Sequence, residues 1–177
     1  MQRRWILTEN TLGPVPDREI VQTVIDAVLE YIGDLQPNED DYQLVRQIPK
    51  AAQYFWAMRL FESEVNNGGF EQYFWNSSST LMDVALEGYG VIGAKEYAHF
   101  LQTAATIMGT SSYLARRRQS GDEWTMYKNA CPPTLDALNE EFYRAESGDS
   151  SSGGSDLDLD RKKVTFIRHN YKAICGQ

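Results

Sequence analysis

The chain has 177 residues, 42% of them hydrophobic, and a formal net charge of −8 at pH 7. A length of this order suits one domain with a full core. A surface this acidic repels nucleic acid and anionic membranes and attracts basic proteins. Two distant cysteines, Cys131 and Cys175, form neither a disulfide framework nor a zinc site; they fit idle reduced thiols in a cytoplasmic protein.

Residues 1–16 read as an extended lead-in containing Gly13-Pro14-Val15-Pro16, with no apolar run that would make a signal peptide or membrane anchor. Asp17 is placed to cap a helix over residues 20–35, in which Ile20, Val24, Ile25, Val28 and Ile32 recur with helical period. Gly33 and Pro37 close it. A short helix follows Asn38, and Pro49 opens a long one over residues 50–65. Residues 66–69, Asn-Asn-Gly-Gly, break the chain, because asparagine and glycine tolerate left-handed backbone. An aromatic segment, residues 70–75, restarts the helix.

Ser79 or Thr80 is placed to cap a helix over residues 81–91, and Gly93 separates that from another over residues 94–108. Residues 109–130 read as irregular. Pro132-Pro133 open a helix over residues 134–146, residues 147–155 form a flexible loop, and residues 156–177 form a last helix, with Asp156 or Asp158 as its cap. No run alternates with period two. The expected fold is all-α: about seven helices, with a helical domain over residues 17–146 and the C-terminal helix packed on it.

Charge is distributed unevenly. Residues 9–41 hold nine carboxylates and one base. On a helical wheel Glu19, Asp26, Glu30 and Asp34 fall within about 80° of one another, with no lysine or arginine between them. Successive carboxylates four residues apart rise by about 6 Å and repel by roughly 0.2–0.5 kcal/mol per pair. Glu39, Asp40 and Asp41 extend the row. A solvated face in an acidic protein explains such a row; so does imitation of a phosphate backbone, which carries one charge per strand every ~3.4 Å.

The segment Phe61–Ser77 is the most specific stretch of the chain. Its polar members Glu62, Glu64, Glu71, Gln72 and Asn76 surround the Asn-Gly-Gly break. Yet no histidine, nucleophile elbow or lysine-bearing phosphate loop accompanies them. The reading favoured here is a helix–helix corner with Phe70, Tyr73, Phe74 and Trp75 as core or interface aromatics. His99 and His169 lack metal-ligand spacing.

Asn67-Gly68-Gly69-Phe70 with Gln72-Tyr73-Phe74 and Asn76-Ser77 resembles the signature of the DMP-like family, small acidic helical bacterial proteins that include a neisserial DNA mimic. Ile92-Gly93-Ala94 with Tyr97-Ala98, and Leu135-Asp136 with Phe142-Tyr143, agree with it. The likeness covers roughly residues 50–146. It implies an all-α domain without a cofactor or metal, often a homodimer. For the named member it implies binding to a DNA-binding transcription factor in place of DNA. The expected function is therefore a non-enzymatic acidic module. Glu19, Asp26, Glu30, Asp34, Glu39, Asp40 and Asp41 would face a basic partner such as a transcription factor or nuclease, with no direct contact to nucleic acid or membrane. Two other readings stay open: an immunity- or antitoxin-like inhibitor of a basic toxin, and an enzyme built on Glu62, Glu71 and Asn76.

Overall fold

In a computed structural model, residues 4–33, 39–109, 124–147 and 156–176 are described. The fold is all-α. In chain order the helices are α1 (Glu9–Leu12), α2 (Asp17–Ile32), α3 (Glu39–Val45), α4 (Lys50–Trp75), a 3-10 turn (Ser77–Leu81), α5 (Met82–Ile92), α6 (Lys95–Met108), α7 (Trp124–Ala130), α8 (Pro133–Glu146), α9 (Asp156–His169) and α10 (Tyr171–Cys175).

α4 is the central element. Its first half buries Ala51, Ala52, Tyr54, Phe55, Ala57, Met58 and Phe61, too wide an arc for an amphipathic surface helix. It therefore has neighbours on several sides: α2, α5, α8, α10 and the 3-10 turn. α5 lies closest where Gly88 meets Tyr54, since a Cβ at Gly88 would stand 3.0 Å from the Tyr54 Cβ. α6 bridges α5 and α8, and α9 lies across α2 and α5. Phe61 is at the centre of the core, its ring 5.1–5.9 Å from those of Phe70, Tyr73, Tyr89 and Phe142, mostly edge to face. That geometry suits the aromatic quadrupole.

Several local expectations are corrected. The lead-in is not wholly extended. Thr8 and Thr11 form a reciprocal capping box, with the Thr11 N–H donating to the Thr8 hydroxyl at 3.2 Å and the Thr8 N–H to the Thr11 hydroxyl at 3.0 Å, and this nucleates the single turn α1. Asp17 does not cap α2. Pro16 holds the cap position, and Asp17, first residue of the helix, accepts from the Arg168 Nε at 2.7 Å. α2 ends at Ile32, before Leu35. Ser79 caps nothing forward; its hydroxyl donates back to the Asn76 carbonyl at 3.0 Å, within a 3-10 turn that precedes α5.

α7 lies in a segment expected to be irregular. Trp124 and Tyr127 stand one turn apart and pack on Trp75, at 5.6 and 4.7 Å between ring centroids. Tertiary contact thus outweighs a weak intrinsic propensity. The last helix is two. Asn170 leaves helical geometry and its amide donates to the Phe166 carbonyl at 2.8 Å, the competition with backbone that disfavours asparagine inside helices. Asp158 pairs with Arg161 and Lys162. The side chain of Asp156 lies outside the described residues, as do residues 148–155 of the expected loop.

The glycine corner and the acidic face

The expected break within residues 66–69 is confined to two of them. Asn66 and Asn67 remain helical, and only Gly68 and Gly69 depart. Gly69 has φ +79° and ψ 178°, a region essentially restricted to glycine. A Cβ there would also stand 2.3 Å from the Glu71 Oε2 and 2.7 Å from the Asn139 Nδ2. Phe70 then begins a new helical run, so its N–H has lost its acceptor in the preceding turn. Asn139 of α8 replaces that acceptor: the Phe70 N–H donates to Asn139 Oδ1 at 2.8 Å, and Asn139 Nδ2 donates to Glu71 Oε2 at 2.9 Å. Both side chains are buried. On the other side of the kink, the Val65 carbonyl accepts from the Tyr143 hydroxyl at 2.9 Å.

The remaining polar motif residues converge on Glu64. Its Oε2 accepts from Gln72 Nε2 at 2.7 Å and Asn76 Nδ2 at 2.8 Å, and its Oε1 accepts from the Ser78 hydroxyl at 3.4 Å. One carboxylate before the kink thus holds the helix after it and the turn that follows. Phe70 and Tyr73 are fully buried, Phe74 and Trp75 partly so, and Asn67 is exposed.

A second polar cluster lies beside the corner. The Glu62 Oε1 accepts from the Tyr89 hydroxyl at 2.9 Å and its Oε2 from Lys163 Nζ at 2.7 Å, all three residues being buried. Burial, then the Glu62 carboxylate, raises the Tyr89 phenol well above its ordinary pKa. Glu146, at the end of α8, accepts from the Asn66 amide at 3.3 Å. Burial raises its pKa, the Tyr97 hydroxyl opposes that rise, the Glu62 charge adds to it, and Asn66 and Lys163 lower it.

Glu62, Glu71 and Asn76, the residues of the enzyme reading, are held in three separate contacts: with Tyr89 and Lys163, with Asn139, and with Glu64. His99 and His169 are exposed, and among the described residues no cluster of His, Cys, Asp and Glu could hold a metal ion. No helix among the described residues is long and apolar enough to cross a membrane.

The sequence did not single out Asn139 or Lys163, and Tyr143 entered only through the family resemblance, without a role. Asn139 had a signal: it falls on the apolar stripe of α8 with Leu135, Leu138 and Phe142, where a polar side chain must find a partner. Lys163 sits in a basic run and reads as solvated, although it is 6% exposed.

Of the expected acidic row, Glu19, Asp26 and Glu30 lie exposed on α2. Glu19 is paired with Arg18 at 2.9 Å. Asp26 accepts from the Gln22 amide at 2.7 Å, and among the described residues neither Asp26 nor Glu30 has an ion pair. Asp34 and the side chains of Glu39, Asp40 and Asp41 lie outside the described residues.

A kinked central helix, tied across its kink by carboxylates and by an asparagine from a neighbouring helix, defines a class of helical domain whose signature residues brace its fold. The family of DMP19-like proteins matches residues 46–170, and the chain belongs to it. No curated protein and no solved structure matches the chain.

Proposed function

We propose that the chain is a non-enzymatic, acidic interaction protein that occupies the basic surface of a DNA-binding partner, such as a transcription factor or nuclease, in place of DNA. The supporting observation is a contrast in how carboxylates are used. Asp83, Glu87 and Asp158 are paired with Arg46, Lys50 and Arg161/Lys162, and Asp17 with Arg168. Asp26 and Glu30, four residues apart on a helix fixed by Ile20, Val24, Ile25, Ala27, Val28 and Ile32, are exposed and have no ion pair among the described residues, Asp26 accepting from the neutral Gln22 amide. Unpaired carboxylates on a stiff support keep their full field for a partner, and they lose little side-chain entropy on binding compared with charges on a mobile loop. Membership in the DMP19-like family agrees with this reading.

The test is capture of a partner from native lysate on the immobilised chain, followed by competition. The captured protein should be released by duplex DNA and by raising salt, since the screening length falls from ~10 Å at 0.1 M to ~3 Å at 1 M. Asp26→Lys with Glu30→Lys should abolish capture at unchanged thermal stability. Capture that survives the double reversal, or is indifferent to salt and DNA, rejects the proposal.

A further inference from the structure

A pocket of about 270 Å3 opens between α2, α4 and α9. The buried Glu62–Lys163 pair forms its floor, and Val21 with the edges of Ile25 and Phe55 forms an apolar wall. Arg18, Arg59 and Asp160, all exposed, stand at its mouth. Glu62 is already satisfied by two donors from within the fold. Arg59 has no ion pair among the described residues, and Arg18 pairs only with its chain neighbour Glu19, both being largely exposed. Two guanidinium groups with free hydrogen-bonding capacity therefore face one opening in a chain whose net charge is strongly negative.

We infer that this pocket binds a small organic carboxylate, its head across Arg59 and Arg18 and its apolar body against Val21, Ile25 and Phe55. The guanidinium fork matches a carboxylate in two parallel hydrogen bonds. Of the three cations lining the site, Lys163 is paired with Glu62 and Arg18 with Glu19, which leaves Arg59 as the cation without an ion pair among the described residues, so the site suits a monoanion. A doubly charged phosphate would leave the site with excess negative charge next to Asp160. The volume lies just below the usual range for ligand pockets, roughly 300–1,000 Å3, which limits the ligand to metabolite size. None of the pocket's residues is Asp26 or Glu30, the two carboxylates on which the proposed function rests; the link to the acidic row is Glu19, the partner of Arg18.

The experiment is a titration of the full chain, followed by amide chemical shifts, with benzoate, with its uncharged counterpart benzamide, and with inorganic phosphate. Benzoate should give saturable shifts around residues 18–25 and 55–62, and benzamide none. Arg59→Gln should weaken benzoate by roughly tenfold, the loss of a charge-assisted pair. Asp160→Asn should tighten it by roughly twofold to threefold, by removing a like charge at the rim. Both side chains are exposed, and unchanged melting temperatures would verify that both variants fold. Equal response to benzamide, preference for phosphate, insensitivity to either substitution, or no saturable shift up to roughly 20 mM benzoate would overturn the assignment.

Discussion

Replacing Gly69 by alanine tests whether the family's glycine corner is dictated by geometry. Two costs are separable. A residue with a Cβ held at φ +79°, ψ 178° is strained by about 1–3 kcal/mol. The new methyl also meets Glu71 and Asn139 at 2.3 and 2.7 Å, so the Asn139 bridge to Phe70 and Glu71 must open, at a further cost of ~1.5–3 kcal/mol for a buried hydrogen bond to a charged group. The sum is about 2.5–6 kcal/mol. With a urea m-value of about 2 kcal/mol/M, the unfolding midpoint should fall by roughly 1.2–3 M. Measuring Gly69→Ala again in an Asn139→Ala background divides the total. There the methyl meets no amide, and the one close contact left is the Glu71 carboxylate, released from its Asn139 donor, so the cost should fall toward the backbone part, about 1–3 kcal/mol. A single-variant cost below about 1 kcal/mol would refute the backbone argument. Equal costs in the two backgrounds would refute the contact with Asn139.

Two other predictions concern the buried charges. Lys163→Met strands the Glu62 carboxylate with Tyr89 as its one remaining donor and should cost about 3–5 kcal/mol in denaturant unfolding. Adding Glu62→Gln, which still accepts from Tyr89, should recover most of that loss, and a double variant as unstable as the single would contradict a pairing role. Glu146 is a carboxylate whose pKa is raised by burial. Its folded pKa lies above the ordinary 4.5, so its contribution to stability is complete below that value and is lost as pH rises through the folded pKa. Relative to the wild type, Glu146→Gln should therefore gain stability between acid and neutral pH; parallel stability profiles for the two would show that the carboxyl is not held in its protonated form.

How much of this was legible in the sequence follows from which interactions are local. The period of Ile20, Val24, Ile25, Val28 and Ile32 defines α2 because a helix reports its buried face through spacing alone. Gly69 marks the corner because positive φ has a single-residue signature. The partners of the corner left no comparable mark. Phe70 and Asn139 are 69 positions apart and Glu62 and Lys163 are 101 apart, and a hydrogen bond across such a distance has no period. α7 was hidden for the same reason, since it packs on Trp75, about 50 positions before it. Asn170 divides the C-terminal helix by one side-chain contact to Phe166, in a sequence that otherwise continues its helical pattern.

The distribution of charge also separates the family signature from the surface that a partner would meet. Glu62, Glu64 and Glu71 lie in or beside the signature, but each is occupied by donors from its own chain: Lys163 and Tyr89, then Gln72, Asn76 and Ser78, then Asn139. Carboxylates so engaged have their acceptor oxygens taken up within the fold, and Glu62 is also neutralised by Lys163. What the corner transmits is position. It fixes the two halves of α4, and α2 packs on α4 and α9. The N-terminal end of α2 is held by Arg168, which reaches Asp17, the Gly13 carbonyl and the Val15 carbonyl together. Asp26 and Glu30 are thereby set on a support braced from beneath and from one end. Substitutions in the corner should consequently act on binding through stability, whereas substitutions on the outer face of α2 should act on binding alone.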